Sequence, residues 1–431
     1  MIWKSWAETV VFEPGQMVHP SSLEGIVDTV KGAARGGKSI RVVGSGHSWM
    51  PLVRTDHILV SLDHYQGIEA IDKDKMTATV RAGTTLEQLG AALFEQGLAM
   101  ENLGDIHDQA LAGALSTGTH GTGVTLGSLS TQMVGVTLVT AQGEVLEWDE
   151  ISHPDEMNAV RVSLGMLGII ARITLRVVPT YRLKVEQYKE PLTKIIANLE
   201  ENIQNNRHFE FFWFPYTGYA IPKRIKTTDE PAVEQKSSRQ VFNEILEQSV
   251  VTSFFSLSRS FSFLGRALNN VFIALVADED PGYVDHSYRV FPTTRTLRFQ
   301  EMEYSIPAEL LPNCLEEIIH TVEVNRFKMF FPTECRWVKG DEIWLSPAYQ
   351  RDSAYIAVQQ TKGSPYEDYF RQIEPIFHHY DGRPHWGKLN TFRHEHVAAC
   401  YPRLPDFMAL RQQLAPEQMF LNDYLKRTFM G

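Results

Sequence analysis

The sequence predicts an α+β protein with two lobes, and three observations support this prediction. A chain of 431 residues exceeds what one hydrophobic core usually organises. Strand and helix patterns alternate through residues 1–180. Between residues 181 and 390 the pattern changes to strands rich in aromatic residues, with helical segments between them. We therefore expect a first lobe over 1–180, a second over 181–390, and a C-terminal segment, 391–431, that returns to the first lobe.

The first lobe is expected to contain an early amphipathic helix. Ser21 or Ser22 can cap its start, because a hydroxyl oxygen can accept from a free backbone N–H of the first turn. Gly36 and Gly37 are typical of a helix end. The apolar residues between these signals recur at helical spacing and form one stripe, consisting of Leu23, Ile26, Val27, Val30 and Ala34.

Alternating apolar residues predict the strands of this lobe. The expected strands are residues 39–43, 58–62, 76–82, 134–140, 144–148 and 169–177. The tripeptide Ala-Gln-Gly at 141–143 indicates a hairpin turn between two of them. Thr84 and Glu87 form a capping-box pattern, which predicts a second helix that runs to Phe94.

The second lobe is expected to contain strands at 209–214, 302–306, 329–338 and 354–360. The polar residues 223–238 predict a mobile loop, and residues 412–429 are expected to be helical. The stretch 250–277 is apolar, but no uninterrupted run reaches the length of a bilayer span. We interpret it as a helix pair that covers an apolar surface, because four polar residues interrupt it, namely Arg259, Arg266, Asn269 and Asn270.

Charge and cysteine content narrow the possible functions. A net charge of -11 argues against a nucleic-acid partner, because phosphate binding needs a basic surface. A small molecule is the expected partner. Cys314, Cys335 and Cys400 are widely spaced and form no CxxC pair, which fits a reducing compartment. The N-terminus lacks the charged-then-apolar plan of a signal peptide, so a cytoplasmic location is expected.

A glycine turn follows the expected strand 39–43. Its glycines permit positive φ and bring backbone N–H groups close to a ligand. Successive free N–H groups of this kind form a concavity suited to a pyrophosphate. No third glycine follows three residues after Gly46, so the dinucleotide fingerprint GxGxxG is absent. Taken alone, the turn would equally fit a loop with a surface histidine; its residues are Gly44, Ser45, Gly46, His47, Ser48 and Trp49.

Two further glycine-containing segments favour ligand binding. Residues 102–123 read NLGDIHDQALAGALSTGTHGTG, which is too apolar for a flexible linker. The conformational entropy cost of so much glycine is best explained by backbone that packs along a ligand. Residues 163–170, Ser-Leu-Gly-Met-Leu-Gly-Ile-Ile, bring a glycine turn into an apolar strand.

In this order, the three segments resemble the FAD-binding domain of the vanillyl-alcohol oxidase (p-cresol methylhydroxylase, PCMH) superfamily. Residues 383–388, Arg-Pro-His-Trp-Gly-Lys, are similar to the HWxK motif of its aldonolactone oxidases, which are close to the alditol oxidases. The resemblance covers essentially the whole chain. It implies a PCMH-type FAD-binding domain and a substrate-binding cap domain with a large antiparallel sheet flanked by helices.

The resemblance also implies a cofactor, FAD, and the residues that hold it. His47 would form a covalent bond to the flavin 8α-methyl group. Gly104 matches the position that controls oxygen access, where glycine implies an oxidase and not a dehydrogenase. The full implied set is Gly44, Ser45, Gly46, His47, Ser48, Trp49, Gly104, Asp105, Ala110, Gly113, Thr117, Gly118, Thr119, His120, Gly121, Ile170 and His385.

Glu334 and Arg336 are candidate substrate ligands. On a strand, residues two apart share one face and lie about 7 Å apart along the chain. A solvated ion pair would show the same spacing and contribute little. The aromatic neighbours of the pair favour a cleft, and by resemblance the Glu-x-Arg pair would hold substrate hydroxyl groups. The charge of Arg336 would keep Glu334 ionised.

The resemblance completes the candidate catalytic set with three residues. Lys388 and His385 would lie near the flavin and the reacting carbon, where they would support the charge of the reduced flavin and the deprotonation of the substrate hydroxyl. Gln359 matches a position at which alditol oxidases carry a substrate-contacting Thr, which leaves the substrate open. The catalytic candidates are Glu334, Arg336, Lys388, His385 and Gln359.

The expected reaction transfers hydride from a carbinol of a sugar-1,4-lactone to FAD and then reduces O2 to hydrogen peroxide. Residues 301–307, Glu-Met-Glu-Tyr-Ser-Ile-Pro, resemble the lactone oxidases, whereas residues 344–349 occur in the alditol group too. The alternatives are an alditol oxidase acting on xylitol or sorbitol, a flavin electron-transfer protein without oxidase turnover, and a carbohydrate-binding module.

Two other chemistries are not expected. Five histidines cluster late in the chain, but no acidic or cysteine set with metal-ligand spacing accompanies them, so no metal is expected. A GxSxG elbow is absent, which argues against a serine hydrolase. The late histidines are His378, His379, His385, His394 and His396.

Overall fold

The computed structural model describes residues 2–232, 265–276, 282–292, 298–329 and 331–431, and combines helices with sheets. Its strands are β1 (Trp3–Lys4), β2 (Val11–Phe12), β3 (Gln16–Val18), β4 (Ile40–Val43), β5 (Ile58–Ser61), β6 (Ile68–Asp72), β7 (Thr77–Arg81), β8 (Leu98–Ala99), β9 (Met133–Val139), β10 (Val145–Asp149), β11 (Ile169–Arg176), β12 (Val178–Pro179), β13 (Arg182–Gln187), β14 (Glu190–Pro191), β15 (His208–Trp213), β16 (Tyr219–Thr228), β17 (Tyr283–His286), β18 (Phe299–Pro307), β19 (Thr333–Val338), β20 (Ser353–Thr361) and β21 (Arg383–Pro384).

The helices cover the faces and ends of these sheets. They are α1 (Leu23–Arg35), α2 (Leu86–Glu95), α3 (Leu111–Ser116), α4 (Pro154–Val160), α5 (Leu192–Ala197), α6 (Leu199–Asn205), α7 (Gly265–Leu275), α8 (Ser287–Val290), α9 (Leu311–Asn325), α10 (Glu367–His379), α11 (His394–Cys400), α12 (Leu404–Leu414) and α13 (Asp423–Phe429). Among the helices that the structure describes, none is both long and apolar enough to cross a membrane. The predicted α+β class is confirmed.

The first helix forms where the sequence predicts it. Ser22 is its cap, and its hydroxyl oxygen accepts from the Gly25 N–H at 3.1 Å. The buried stripe passes through Ile26 and Val30 and continues to Ala33. The predicted member Ala34 is exposed, because the neighbouring Ala33 takes the place on the core side.

A parallel sheet presents the first glycine turn. Strands β3 and β4 flank β5, and β4 pairs with β5 from Ile40–Ile58 to Val43–Ser61. The turn therefore begins at the carboxyl end of β4, where a parallel sheet commonly holds a ligand.

The capping box of the second helix lies one residue later than predicted. Thr85 Oγ1 accepts from the Gln88 N–H at 3.2 Å, and the Gln88 side chain accepts from the Thr85 N–H at 3.0 Å. Thr84 instead donates its hydroxyl hydrogen to the Arg81 carbonyl at 2.7 Å, so it closes the preceding turn. The predicted partner Glu87 is exposed.

A five-stranded antiparallel sheet, in the order β10-β9-β11-β7-β6, completes the first lobe. The predicted hairpin is confirmed, since β9 and β10 pair with one another and Gly143 takes a φ of +74° in the turn. The glycine can adopt this left-handed conformation without a steric penalty.

A nine-stranded antiparallel sheet dominates the second lobe, in the order β17-β13-β16-β15-β19-β20-β18-β21, with β14 pairing with β16. This confirms the expected large sheet. The predicted strand 329–338 begins only at Thr333, whereas the predicted strand 302–306 extends to Phe299–Pro307. The predicted loop 223–238 is wrong for residues 223–228, because β16 is hydrogen-bonded to a strand on each side. The remainder of that loop, from 233, and residues 250–264 and 277 of the expected helix pair lie outside the described residues.

The C-terminal segment hydrogen-bonds to the first 180 residues. Ile40 donates its N–H to the Met419 carbonyl at 2.9 Å, and Ala141 donates to the Leu414 carbonyl at 3.1 Å. The predicted helical stretch 412–429 is interrupted between α12 and α13. The domain boundaries at 180 and 390 stay predictions.

Candidate active site

The largest feature of the site is a cleft of about 410 Å³ beside the parallel sheet. Its size suits a small-molecule or cofactor ligand. The turn after β4, the N-terminal part of α3 and the start of β11 contribute to its wall. Nine of the residues implied by the sequence line this cleft, namely Gly44, Ser45, Gly46, His47, Ser48, Ala110, Gly113, Thr117 and Ile170.

Two glycines of the turn are required by close packing. A Cβ atom on Gly44 would lie 3.1 Å from the Cβ of Ala110. Gly46 has a φ of +72°, and a Cβ there would lie 3.1 Å from the Trp3 ring. Ser45 then ties the turn to α3, since its hydroxyl oxygen accepts from the Ala110 N–H at 3.1 Å.

His47 stands where the cleft narrows. Its ring stacks on Trp6 with a centroid distance of 5.6 Å, and its Nδ1 is buried without a hydrogen-bond partner. Burial lowers the pKa of His47 to about 4, and the charge of Lys388 acts in the same direction. The imidazole is therefore neutral at neutral pH and has a free ring nitrogen.

A smaller cavity of about 70 Å³ lies next to the cleft. Four residues line both spaces, namely His47, Ser48, Gln109 and Thr117. Ten further predicted residues line the smaller cavity, namely Trp49, Gly104, Asp105, Thr119, His120, Glu334, Arg336, Gln359, His385 and Lys388. The structure thus brings the predicted catalytic set and the predicted cofactor loops to two adjoining spaces.

Two predicted cofactor residues, Gly118 and Gly121, line neither space. Gly118 has a φ of +74°, which the turn after α3 requires. A Cβ on Gly121 would lie 2.3 Å from the Leu103 carbonyl oxygen. In the described structure both glycines therefore shape the loop, while Thr117, Thr119 and His120 face the ligand spaces.

Arg336 is surrounded by carboxylates. Its guanidinium contacts Glu334, lies 2.5 Å from Asp105, and lies 2.9 Å from Glu210. Burial lowers the pKa of Arg336, but attraction to the three carboxylates raises it well above the ordinary value. Lys223 lies 3.2 Å from Glu210 on its other side. The predicted Glu334–Arg336 pair is thus part of a larger buried charge network.

Sheet register explains this network. Lys223 on β16, Glu210 on β15 and Arg336 on β19 occupy directly opposite positions of three neighbouring strands. Directly opposite residues of an antiparallel pair have neighbouring side chains on one face. Glu210 and Lys223 were not predicted, because no local pattern in the sequence reveals which strands are neighbours.

Lys388 is held by a second acid that sequence reasoning missed. Its ammonium pairs with the Glu301 carboxylate and lies 4.4 Å from the centre of the Trp49 ring. Gln359 donates its side-chain N–H to Glu301 at 3.2 Å. Glu301 therefore connects two predicted substrate residues. The spacing of Glu301 and Glu303 on β18 was a usable signal, but the predicted strand began at Met302 and excluded the first of them.

His385 is a neutral hydrogen-bond donor. Its backbone N–H donates to the Glu303 carbonyl at 3.0 Å, and its Nδ1 accepts from the Gly387 N–H at 3.0 Å. Burial lowers the pKa of His385 to about 3. A neutral imidazole that accepts at Nδ1 carries its hydrogen on Nε2. The side chain can therefore donate a hydrogen bond but offers no free nitrogen for taking a proton.

Solved structures share this fold. The chain is similar to cholesterol oxidase from Brevibacterium sterolicum, with a TM-score of 0.87, 17% identity, and coverage of 99% of this chain and 96% of the other. It is also similar to a solvent-stable cholesterol oxidase, with a TM-score of 0.84 and 18% identity over 99% of this chain and 96% of the other. At these identities the likeness establishes the fold alone.

Curated relatives are similar to the chain, two of them over nearly the full length. An L-gulono-1,4-lactone dehydrogenase of Mycobacterium tuberculosis is 37% identical over 99% of this chain and 98% of its own length. An L-gulonolactone oxidase of Scyliorhinus torazame is 31% identical over 99% and 98%. A D-arabinono-1,4-lactone oxidase of Kluyveromyces lactis is 33% identical over 58% of this chain and 49% of its own length.

Two family models match the chain, one over the glycine turn at 44–49 and the glycine segment 102–123, the other over the strands of the large sheet. An FAD-binding domain matches residues 14–149, which contain the cleft-lining turn and α3. The D-arabinono-1,4-lactone oxidase family matches residues 173–428, which contain Glu334, Arg336 and the HWGK segment. The first lobe therefore carries an FAD-binding domain, and the chain belongs to the D-arabinono-1,4-lactone oxidase family.

Proposed function

We propose that the protein uses FAD to oxidise a carbinol of a sugar-1,4-lactone and passes the electrons to O2. The observation that carries the proposal is that a glycine-lined cleft shares four lining residues with a small cavity of buried acids and bases. Bound FAD would accept the hydride from the substrate carbon, which is chemistry that no side chain can perform. The names of the relatives favour a lactone over an alditol.

The chain's own residues fit FAD. The turn at 44–48 and the start of α3 would hold the dinucleotide, because bare backbone lines the cleft there. His47 offers a neutral, unpartnered Nδ1 at the junction with the smaller cavity. Lys388 supplies a cation close to the same junction, where it would stabilise the reduced flavin. A covalent bond between His47 and the flavin is therefore part of the proposal.

The smaller cavity fits a neutral substrate rich in hydroxyl groups. Glu334 and Arg336 provide an acceptor and a donor side by side, as the resemblance implies. Gln359 adds an amide on the neighbouring strand. His385 would donate from Nε2 to a substrate oxygen, so its part in the reaction is orientation and not proton removal. No charged group on the substrate is needed, because Arg336 and Lys388 are each paired with a carboxylate of the cavity.

O2 as the electron acceptor rests on Gly104. The relatives bear both dehydrogenase and oxidase names, so the names alone leave the acceptor open. Gly104 lines the smaller cavity, and a Cβ there would lie 3.1 Å from the His120 carbonyl oxygen. Bare backbone at this point leaves room for O2 beside the flavin.

The decisive experiments test three claims separately, namely that FAD is bound, that it is attached through His47, and that the substrate is a lactone. The purified protein is run on a denaturing gel, before and after His47→Ala, and viewed for flavin fluorescence. We expect a fluorescent band from the natural protein only. A band retained by His47→Ala would exclude His47 as the anchor.

In parallel, peroxide release is measured with L-gulono-1,4-lactone, D-arabinono-1,4-lactone, xylitol and sorbitol, and faster turnover of an alditol would overturn the lactone assignment.

A further inference from the structure

His120 and Glu303 form a buried pair at the wall of the smaller cavity. The His120 side chain is 2% exposed and the Glu303 side chain 7%, and His120 Nε2 lies 3.2 Å from Glu303 Oε1. Both residues line the cavity beside Lys388 and His385. The pair is distinct from the Glu334–Arg336 pair and from the Glu301–Lys388 pair, because in each of those pairs a different acid contacts a different base.

The surroundings of the two ring nitrogens define the protonation state of His120. Its Nδ1 lies 2.8 Å from the Gly121 carbonyl oxygen, which can only accept a hydrogen bond. Its Nε2 faces a carboxylate oxygen, which also accepts when it is ionised. A lone pair on either nitrogen would point at a negative oxygen, so the geometry favours a hydrogen on both.

Glu303 is the member of the pair that stays ionised. Burial would raise its pKa, but attraction to His120, the hydrogen bond between the two side chains and attraction to Lys388 outweigh burial and lower the pKa below its ordinary value. Beside an ionised Glu303, hydrogen on both Nδ1 and Nε2 of the His120 ring satisfies both of its contacts with acceptor oxygens. Tyr355 supports a cationic ring from another side, because the two ring centroids are 3.8 Å apart and aromatic faces attract cations.

The charge of the cavity needs such a cation. Four carboxylates line it, from Asp105, Glu301, Glu303 and Glu334, whereas Arg336 and Lys388 are the two permanently charged bases among its lining residues. Burial of unbalanced charge is costly. A protonated His120 reduces the imbalance.

We propose that Glu303 is a positioning residue that keeps both ring nitrogens of His120 protonated, so that His120 supplies a fixed positive charge to the substrate cavity beside Lys388. The role of this charge rests on the proposed function. It stabilises the negative charge that develops on the substrate oxygen as the hydroxyl proton passes to the Glu334 carboxylate, which lines the same cavity. The ring centroids of His120 and His385 are 5.9 Å apart. His120 is then the cationic histidine of the cavity and His385 is the neutral one.

The first test reads the protonation state and requires no turnover. Holoprotein labelled with nitrogen-15 in histidine is studied at pH 7.5, about one unit above the ordinary histidine pKa, by long-range proton–nitrogen correlation. One histidine ring should have hydrogen on both nitrogens, and the signals of that ring should be absent from the spectrum of His120→Gln. Should that variant not fold, Tyr355→Phe provides the assignment, because it perturbs the stacked ring. A His120 ring with one bare nitrogen in the natural protein would overturn the proposal, whether or not the lactone assignment holds.

The second test uses matched substitutions on one strand face. Glu303→Gln should leave His120 with a single ring hydrogen, whereas Glu301→Gln should leave the doubly protonated ring unchanged. With lactone, Glu303→Gln should lower the rate of flavin reduction about 10- to 100-fold and change KM about threefold or less, because the lost charge acts on the transition state. Glu303→Asp should restore part of the rate. An equal loss in Glu303→Asp and Glu303→Gln, or a change confined to KM, would contradict the role of the charge.

Discussion

The proposed cofactor cleft and the proposed substrate cavity are each lined by a buried arginine, and the two arginines are held in opposite ways. Arg41, at the cleft, donates to the backbone carbonyls of four residues, namely Leu52, Leu164, Gly165 and Phe420. Burial lowers the pKa of Arg41 to about 9, and none of the described carboxylates forms an ion pair with it. Arg336, at the cavity, contacts three carboxylates, and its pKa is raised.

This difference separates scaffold from site. Arg41 joins three distant parts of the chain around the cleft, and its partners are backbone atoms that any sequence would offer. Arg336 lies among charged side chains that can contact a substrate. Removal of Arg41 should therefore affect mainly stability and cofactor retention, while removal of Arg336 should affect both stability and catalysis.

The largest effect is expected for Arg336→Met. It removes the cation that Asp105, Glu210 and Glu334 share and leaves Lys223 beside Glu210 alone, which costs about 3–5 kcal/mol of unfolding free energy. It also removes a substrate donor, so kcat/KM for the lactone should fall about a thousandfold or more. Urea unfolding and flavin reduction by lactone measure the two effects. The control is Lys339→Met, which removes an exposed ion pair to Asp352 and should change stability by about 0.5 kcal/mol or less.

A smaller effect is expected for Arg41→Met. Loss of hydrogen bonds to buried carbonyls should lower the free energy of unfolding by about 2–4 kcal/mol. FAD should be lost more readily under mild urea, because the segments at 52, 164 and 420 no longer hold the cleft together. The measurements are urea unfolding and flavin retention after gel filtration. If Arg41→Met lowered the flavin-reduction rate of the FAD-loaded fraction as much as Arg336→Met does, the division between scaffold and site would be wrong.

Acid pH should weaken the fold through buried neutral histidines outside the charge network. His208 is buried, and burial lowers its pKa to about 3 from an ordinary value of 6.5. Between those values the unfolded chain binds a proton that the folded chain does not, so stability falls as pH decreases. From pH 6.5 to 5, His208 should account for about 1.5 kcal/mol of this loss. Urea unfolding at both pH values should show that His208→Gln loses about 1.5 kcal/mol less unfolding free energy than the natural protein does. An equal loss in both proteins would exclude His208 as a source of the acid sensitivity.

The smallest effect is expected for Gly104→Ala, which places a side chain on the wall of the cavity. The added Cβ would approach the His120 carbonyl oxygen to 3.1 Å and the Thr119 Cγ2 to 3.5 Å, so the loop can accept it with a small shift. The rate at which reduced flavin reacts with O2 should fall about fivefold, equivalent to about 1 kcal/mol. Stopped-flow mixing with oxygenated buffer measures it, with flavin reduction by lactone as the internal control. Slow oxidation in the natural protein would contradict oxidase behaviour.

Local patterns predicted the elements that carry the site but only part of the site itself. The glycine turn at 44–48 and the two-residue spacing of Glu334 and Arg336 were readable because both are properties of a single segment. Glu301 was missed because the predicted strand began one residue too late. The capping box was placed at Thr84 instead of Thr85 because adjacent residues offered the same pattern.

By itself, the sequence determined the α+β class, the glycine loops, the resemblance that names FAD, and the acid and base pair that share a strand face. These follow from steric freedom at glycine and from the two-residue period of a strand. Only the tertiary structure decided that Glu210 and Lys223 flank Arg336, that Glu301 holds Lys388, and that Glu303 faces His120. The reason is that strand neighbours and loop contacts are set by packing between distant segments, and the charge state of a buried group depends on which partners that packing supplies.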